Sequence, residues 1–152
     1  MNDSLIHMKT IRDMMRRSAA PDADVYRDLL ACFNGTPYVW GGSSPAGCDC
    51  SGSVCTALNV LYGTDTDATA DTLYKLYFTE REDNDDALCA VFFVDQNGKA
   101  VHVAGRLGDD FYMNVSRAEP GEKGTIRSYD ELKAMYPLFR MVQRSLREGA
   151  WK

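Results

Sequence analysis

Apolar residues recur at helical spacing through the first half of the chain and predict four helices. Apolar side chains three or four positions apart form one face in each of these segments. Pro21 separates the first two segments, and Gly63 follows the third, where glycine is a typical helix end. The predicted helices span residues 4–17, 22–33, 50–62 and 69–78.

Short apolar runs separated by turn residues predict antiparallel strands in the second half. The runs cover residues 88–94, 100–107, 111–115 and 138–143, with a short helix predicted at 129–136 and a solvated acidic loop at 80–86. The Asp-Gln-Asn-Gly segment at 95–98 is a strong hairpin signal. Helices followed by an antiparallel meander are typical of the α+β class. We therefore predict an α+β fold.

The length predicts one domain. A chain of 152 residues leaves little room for a second domain. We expect residues 1–152 to form a single domain, with an amino-terminal helix within 1–22 and the core within 23–146.

Composition and charge exclude several classes of function. Seventeen basic against twenty-two acidic residues give a net charge of −5, which argues against nucleic-acid binding. No apolar run approaches the roughly 18 residues of a membrane span. The start of the chain lacks the basic and apolar stretches of a secretory signal. We expect synthesis in the cytoplasm, a monomer, and neither a nucleic-acid nor a membrane partner.

The cysteines and acidic residues do not form a typical metal site. Five cysteines without a Cys-x-x-Cys pair, and only two histidines, favour reduced thiols and no structural zinc. Asp65, Asp67 and Asp71 suggest a calcium loop, but the glycine and distal glutamate of an EF-hand are missing. We expect a polar loop there, with no metal and no cofactor.

The residues around Cys50 point to a nucleophile. Cys50 lies where a loop rich in glycine, proline and serine, residues 36–47, gives way to a helix. Unpaired amide groups and the helix dipole favour a thiolate there, so we expect a lowered pKa. The alternative for any cysteine is packing in the core. We assign packing to Cys32, Cys55 and Cys89, and leave Cys48 open.

A cysteine nucleophile requires an imidazole as its base, and the chain offers two. His7 lies in the first predicted helix, where a surface position is expected, whereas His102 interrupts an apolar strand. Asn114 follows twelve residues later, on the strand predicted to pair with that of His102, and is the expected partner of the second ring nitrogen. The alternative for Asn114 is a hydrogen-bonding residue of an edge strand. The rival carboxylates at 109–110 fall in a turn.

Three sequence blocks resemble the NlpC family of cell-wall cysteine peptidases. They are Tyr-Val-Trp-Gly-Gly at 38–42, Gly-Cys-Asp-Cys-Ser-Gly at 47–52 and His-Val-Ala-Gly at 102–105. The resemblance implies a papain-like fold, with amino-terminal helices packed on a small antiparallel sheet. It also implies hydrolysis of peptidoglycan stem peptides, commonly at the bond between D-γ-glutamate and a diamino acid.

The same resemblance implies roles for individual catalytic residues. Cys50 corresponds to the nucleophile, His102 to the base and Asn114 to the orienting third residue. Attack by the thiol then forms a thioester, which water hydrolyses.

Further positions match substrate-binding residues of the family. Tyr38 corresponds to a tyrosine that supports the oxyanion and the substrate, and we expect Trp40 to bind substrate beside it. Asp49 and Ser51 correspond to residues that hold a free amino end of the stem peptide. Both are also good helix caps, and the two roles are compatible.

The leading hypothesis is therefore a peptidoglycan endopeptidase. Without a secretory signal or a wall-binding repeat, we expect a phage-type lysin that reaches the cell wall by holin-type release or by injection. One alternative is a non-catalytic tail or assembly domain that keeps the fold and only binds. Another is a thiol-dependent acyl or amide transferase.

Overall fold

Helices precede an antiparallel sheet in the computed structural model, which describes residues 3–81 and 84–152. The helices are α1 (Asp3–Arg17), α2 (Asp22–Ala31), α3 (Cys50–Tyr62), α4 (Ala70–Thr72) and α5 (Tyr129–Met135). The strands are β1 (Ser43–Ser44), β2 (Gly47–Cys48), β3 (Cys89–Val94), β4 (Ala100–Gly108), β5 (Phe111–Asn114), β6 (Thr125–Ser128) and β7 (Arg140–Ser145). The predicted α+β class is confirmed.

The main sheet contains five strands in the order β6–β5–β4–β3–β7, and every neighbouring pair is antiparallel. Strands β3 to β6 form a meander, and β7 returns to pair with β3. All six residues of β3 are buried, because apolar side chains cover both faces of the sheet. A strand covered on both faces has a continuous apolar sequence instead of an alternating one.

The core has two parts, one on each face of the sheet. Helices α1, α2 and α3 cover one face, where Leu29 and Leu58 pack in the same cluster as Phe92 of β3. Helix α5 covers the other face, where Leu132 packs with Phe93. Burial of these apolar side chains is the main stabilising contribution to such a fold.

Helix α3 is rigidly placed between the loop and the sheet. Asp49 is its N-cap, and Gly63, with a φ of 69°, is its left-handed C-cap. All residues from 52 to 58 are buried, so the helix cannot rotate without disrupting the core. Cys50, its first residue, is therefore held in one position.

The sequence pattern missed three strands. Strands β1 and β2 have two residues each, which is too short for an alternating pattern to be recognised. Strand β6 lies at the sheet edge, and Ile126 is its one strongly apolar residue. Strand β7 starts at Arg140 instead of Leu138, whose side chain is exposed in the preceding turn.

Three other segments complete the comparison with the predicted elements. The helix predicted at 69–78 is a short α4 that continues as a π-helical turn, Leu73–Tyr77. Trp151 packs into the core, and its Nε1 donates to Asn59 Oδ1 at 3.0 Å. In the predicted acidic loop, residues 82 and 83 lie outside the described residues.

Within the described part of the chain, no helix has both the length and the apolar character that a membrane span requires.

Candidate active site

The start of helix α3 lies against the glycine-rich loop that precedes it. A Cβ atom at Gly52 would lie 2.3 Å from the carbonyl oxygen of Gly42, and one at Gly42 would lie 2.4 Å from that of Gly47. Both distances are far below van der Waals contact, so these positions require glycine. The glycines thereby allow the loop to approach the turn that carries Cys50.

Replacing Gly52 with alanine is expected to destabilise the fold by about 1–3 kcal/mol, the usual cost of overpacking. The nearest atom is a backbone oxygen of Gly42, which cannot rotate away. Helix propensity alone predicts the opposite sign, since alanine is favoured over glycine by about 1 kcal/mol. Urea unfolding measures the change. An unfolding free energy equal to or above that of the wild type would exclude the close approach.

Asp49 joins the loop to the helix through both carboxylate oxygens. Oδ1 accepts hydrogen bonds from the Gly52 N–H at 2.7 Å and from Ser51 Oγ at 3.3 Å. Oδ2 accepts from the Gly41 N–H at 3.0 Å. The capping role predicted for Asp49 is thus observed, and Ser51 contributes by holding the carboxylate.

Cys50 and His102 meet at one cavity although they are far apart in sequence. Burial raises the pKa of the Cys50 thiol, and the backbone of Val103 in β4 acts against this shift, which places the two residues near each other. Val103 directly follows His102. Both Cys50 and His102 line a cavity of about 710 Å³. The structure therefore brings the predicted nucleophile and the predicted base together.

The imidazole of His102 is held by two aromatic rings and one amide. Its centroid lies 5.0 Å from that of Phe93 and 5.1 Å from that of Tyr136. Its Nε2 lies 2.6 Å from Asn114 Oδ1. Because an amide oxygen only accepts hydrogen bonds, Nε2 carries the proton. In the neutral ring, Nδ1 then has the free lone pair.

Asn114 reaches His102 across the β4–β5 pair, as the turn between these strands predicts. Gly105 lies opposite Met113, and side chains alternate along a strand, so Asn114 and His102 project from the same face. The Asn114 side chain is fully buried. The rival carboxylates at 109–110 are exposed in the turn.

Burial determines the protonation of the cysteine and the histidine. It raises the pKa of the Cys50 thiol to about 11, although the N–H groups of Val103 and Ser51 oppose the shift. The expectation of a lowered pKa for Cys50 is therefore wrong, because burial in the folded protein outweighs the effect of the N–H groups. Burial also lowers the pKa of His102, against the opposing effects of Asn114 and Glu119. Cys50 is thus a neutral thiol beside a neutral imidazole at neutral pH.

The other four cysteines are packing residues. Cys48 and Cys55 are buried, and burial raises the pKa of Cys48 well above its usual range and that of Cys55 to about 12. Cys89 is buried in the sheet. Cys32 is half-buried at the end of α2. The open assignment of Cys48 is resolved by the small β1–β2 hairpin, which directs its side chain into the core.

A set of polar side chains behind Asn114 was missed by the sequence analysis. Asn114 Nδ2 donates to Glu119 Oε2 at 2.8 Å and to Tyr136 Oη at 3.2 Å. The Glu119 carboxylate, fully buried, pairs with Arg127 at 2.6 Å. Glu119 precedes Pro120 and a glycine, a pattern typical of an exposed turn. Nothing local in the sequence therefore indicates its burial.

The sequence profile of the NlpC/P60 family matches residues 35–143. The chain belongs to the NlpC/P60 family. Members of this family are generally cysteine peptidases that hydrolyse peptidoglycan. The matched segment begins in the loop before α3 and ends in β7, so it includes Cys50, His102 and Asn114.

Solved structures of NlpC/P60 proteins share the fold. NlpC1 and NlpC2 from Trichomonas vaginalis are each 25% identical over 88% of the chain, with TM-scores of 0.66 and 0.62. The chain spans 45% and 48% of their lengths. The NlpC/p60 domain of the peptidoglycan hydrolase SagA is 24% identical, with a TM-score of 0.57, over 80% of this chain and 95% of that domain. The predicted papain-like fold is confirmed. No curated protein shows significant sequence similarity to the chain.

The cavity lined by Cys50 and His102, called here the NlpC/P60 cavity, also has aromatic and basic side chains on its walls. Tyr38 and Trp40 both line it, and Trp40 is 78% exposed. The guanidinium carbon of Arg117 lies 5.0 Å from the centre of the Tyr38 ring. Lys99 lines the cavity as well. The sequence analysis missed both cations, since a basic residue in a loop is common on any surface.

The aspartates of the suggested calcium loop have other positions and partners. Asp71 accepts from the Ala100 N–H at 3.0 Å and pairs with Lys75 at 3.0 Å. Asp67 lines the NlpC/P60 cavity. Across residues 3–81 and 84–152, no group of three or more His, Cys, Asp or Glu side chains is arranged to hold a metal ion.

Proposed function

We propose that this chain is a cysteine endopeptidase that cleaves the stem peptides of peptidoglycan. The observation that carries the proposal is that Cys50 and His102 line one cavity, with Asn114 hydrogen-bonded to His102 behind it. These residues supply a nucleophile, a base and an amide that orients the base. Membership of the NlpC/P60 family supports the peptidase chemistry and the cell-wall substrate.

In the first half-reaction, the Cys50 sulfur attacks the carbonyl carbon of the scissile amide. Its proton passes to His102 Nδ1 in the same step, because the thiol is not ionised beforehand. Tyr38 donates to the oxyanion that forms. Burial and the neighbouring Cys50 and Asp49 raise the pKa of Tyr38, so its hydroxyl keeps the proton that it donates. His102 then protonates the leaving nitrogen, the C–N bond breaks and a thioester remains.

In the second half-reaction, water attacks the thioester carbonyl. His102 Nδ1 takes a proton from the water and returns it to the departing Cys50 sulfur, which restores the thiol and releases a carboxylic acid. Asn114 holds the ring by its Nε2–H throughout. The same nitrogen therefore serves as base and acid in both halves of the reaction.

The basic residues of the cavity support cleavage next to D-γ-glutamate. A γ-linked glutamyl residue leaves its α-carboxyl group free, so a substrate of this kind carries a negative charge beside the scissile bond. Arg117 and Lys99 line the cavity together with Asp49, Asp67 and Asp71, and the two cations are the groups that can pair with this carboxylate. We therefore propose the bond between D-γ-glutamate and the diamino acid as the cleaved bond.

Digestion of purified peptidoglycan by the purified chain tests the proposed function. Mass spectrometry of the released fragments should show new termini at the D-γ-glutamyl–diamino acid bond, and a synthetic stem peptide should yield the same products. If the wild type and Cys50→Ala released the same fragments, the protein would be a non-catalytic binding domain and not a peptidase. Turnover of an acyl ester with no cleavage of the peptide would favour a transferase.

Activity is expected to depend on pH through His102. The base must be neutral, and burial lowers the pKa of His102 from its ordinary 6.5. Activity should therefore be lost on acidification, with a midpoint below pH 6.5. At alkaline pH, ionisation of the Cys50 thiol should not reduce activity below its pKa of about 11. The measurement is kcat/KM for a soluble stem peptide from about pH 4 to about pH 10. His7→Gln is the control, and a midpoint that moves with it would contradict the assignment.

Asp49→Asn separates helix capping from recognition of a free amino end. Asparagine retains one oxygen for the Gly52 N–H but places its NH₂ against the Gly41 N–H, so the unfolding free energy should fall by about 1–2 kcal/mol. Loss of the carboxylate charge should raise KM about tenfold for a stem peptide with a free amino end, but not for the same peptide acetylated. Equal KM changes for both peptides would assign Asp49 to capping alone.

The phage-type lysin role stays a prediction within this proposal. Expression in the bacterial cytoplasm tests it, since a peptidase of the cell wall is harmless until it crosses the inner membrane. Lysis is expected only when a membrane-permeabilising protein is expressed with it. Lysis should be absent with Cys50→Ala under the same conditions.

A further inference from the structure

Glu119 is a buried charged residue to which the mechanism above gives no role. The Glu119 side chain has no exposed surface and lies on the far side of Asn114 from His102. Arg127 Nε and Nη2 both donate to its carboxylate, and Arg127 itself remains partly exposed. A buried carboxylate is costly unless it is paired. Its contact with the orienting amide indicates a function beyond the ion pair.

We propose that Glu119 is a positioning residue that fixes the orientation of the Asn114 amide and thereby decides which nitrogen of His102 acts as the base. This inference rests on the proposed function, because it assigns Glu119 to the same reaction. Glu119 does not reach the reacting atoms. It acts through Asn114.

The first step of the argument is the orientation of the amide. An ionised carboxylate only accepts hydrogen bonds, so the group of Asn114 that lies 2.8 Å from Glu119 must be the NH₂. Rotating the amide by half a turn would place its oxygen against the carboxylate, where two acceptors repel. Tyr136 favours the same orientation, because its hydroxyl donates to Ser116 Oγ at 2.7 Å and accepts from Asn114.

The second step is the tautomer of the imidazole. With its NH₂ turned to Glu119, Asn114 presents Oδ1 to His102 Nε2 at 2.6 Å. Nε2 must then hold the proton, and the lone pair of the neutral ring is on Nδ1. A rotated amide would present its NH₂ to Nε2, which would then need its lone pair as the acceptor. The proton would move to Nδ1, and Nδ1 could no longer accept the proton of Cys50.

Glu119→Gln is the direct test, because glutamine preserves the shape but can donate as well as accept. Both amide orientations of Asn114 then become accessible, and both tautomers of His102 should be populated. Nitrogen-15 shifts of the imidazole at about pH 8, where the ring is neutral, report the tautomer. His7→Gln as the background removes the only other histidine signal. Since only the correct tautomer reacts, kcat should fall in proportion to its remaining fraction, about twofold for equal populations and about tenfold if one tenth remains, at unchanged KM.

Glu131→Gln is the matched control. Glu131 accepts from the other guanidinium nitrogen of Arg127 at 3.0 Å, so its loss weakens the same ion-pair cluster without touching Asn114. Glutamine also retains the capping-box contact with the Ser128 N–H. This variant should keep a single Nε2–H tautomer and full activity.

The wild-type spectrum provides a test that needs no stable variant. A wild-type His102 protonated on Nδ1 would overturn the proposal, even if Glu119→Gln failed to fold. A folded Glu119→Gln with one Nε2–H tautomer and the kcat of Glu131→Gln would reduce Glu119 to a structural ion pair. The tautomer is measured by NMR in the absence of substrate. It can therefore be interpreted even if the protein shows no peptidase activity.

Discussion

Cys50→Ala is expected to abolish cleavage of stem peptides, lowering kcat by about 10⁴-fold or more. The sulfur forms the covalent bond of the thioester, and the neighbouring Ser51 hydroxyl, which donates to Asp49 at 3.3 Å, is too weak a nucleophile to replace it. Substrate binding should persist, since the aromatic and basic walls of the cavity are unchanged. Product formation by mass spectrometry and peptide binding by calorimetry measure the two effects separately.

Cys32→Ala is the matched control for Cys50→Ala. Cys32 is a half-buried residue at the end of α2, and its thiol donates a hydrogen bond to the Asp28 carbonyl at 3.5 Å, away from the cavity. This variant should retain full activity. If Cys50→Ala kept more than about a tenth of the wild-type kcat, the thioester mechanism would be excluded.

His102→Ala is expected to have the second-largest effect, with kcat/KM about 10³–10⁴-fold lower at neutral pH. Since the pKa of the Cys50 thiol is about 11, only about one thiol in 10⁴ is ionised at pH 7 without a base. The residual activity should therefore rise about tenfold per pH unit up to about pH 11. The wild type should be flat over the same alkaline range, because His102 removes the proton during attack.

The pH dependence of His102→Ala distinguishes the loss of a base from a loss of structure. A misfolded variant would be inactive at every pH, whereas a variant lacking only its base should recover under alkaline conditions. His7→Ala, in the exposed position of α1, should retain the wild-type profile. A flat alkaline profile for folded His102→Ala would contradict the role of His102.

Local signals in the sequence correctly predicted where α3 begins and ends. Asp49, the preceding glycines and Gly63 act over a few residues, so a linear pattern contains their effect. The turn residues at 95–98 predicted the hairpin, and the apolar residues around His102 predicted its strand, from neighbours of the same short range. Strand β6 was missed because its pairing with β5, and not its own side chains, makes it a strand.

The pKa of Cys50 shows why local signals were insufficient at the site. A helix N-terminus favours a thiolate, and that part of the argument is visible in the sequence. The opposing effect is desolvation by burial in the folded protein, which is the larger one. Only the folded arrangement decides which effect prevails.

The motifs of the chain by themselves determined the helical start that carries the cysteine, the strand that carries the histidine and the family to which both belong, since each depends on neighbours within a few positions. The tertiary structure alone decided that Glu119 lies buried behind Asn114, that Arg117 stands over Tyr38, and that the thiol is neutral. These features arise where distant segments exclude water from polar groups, and burial of that kind leaves no pattern in a linear sequence.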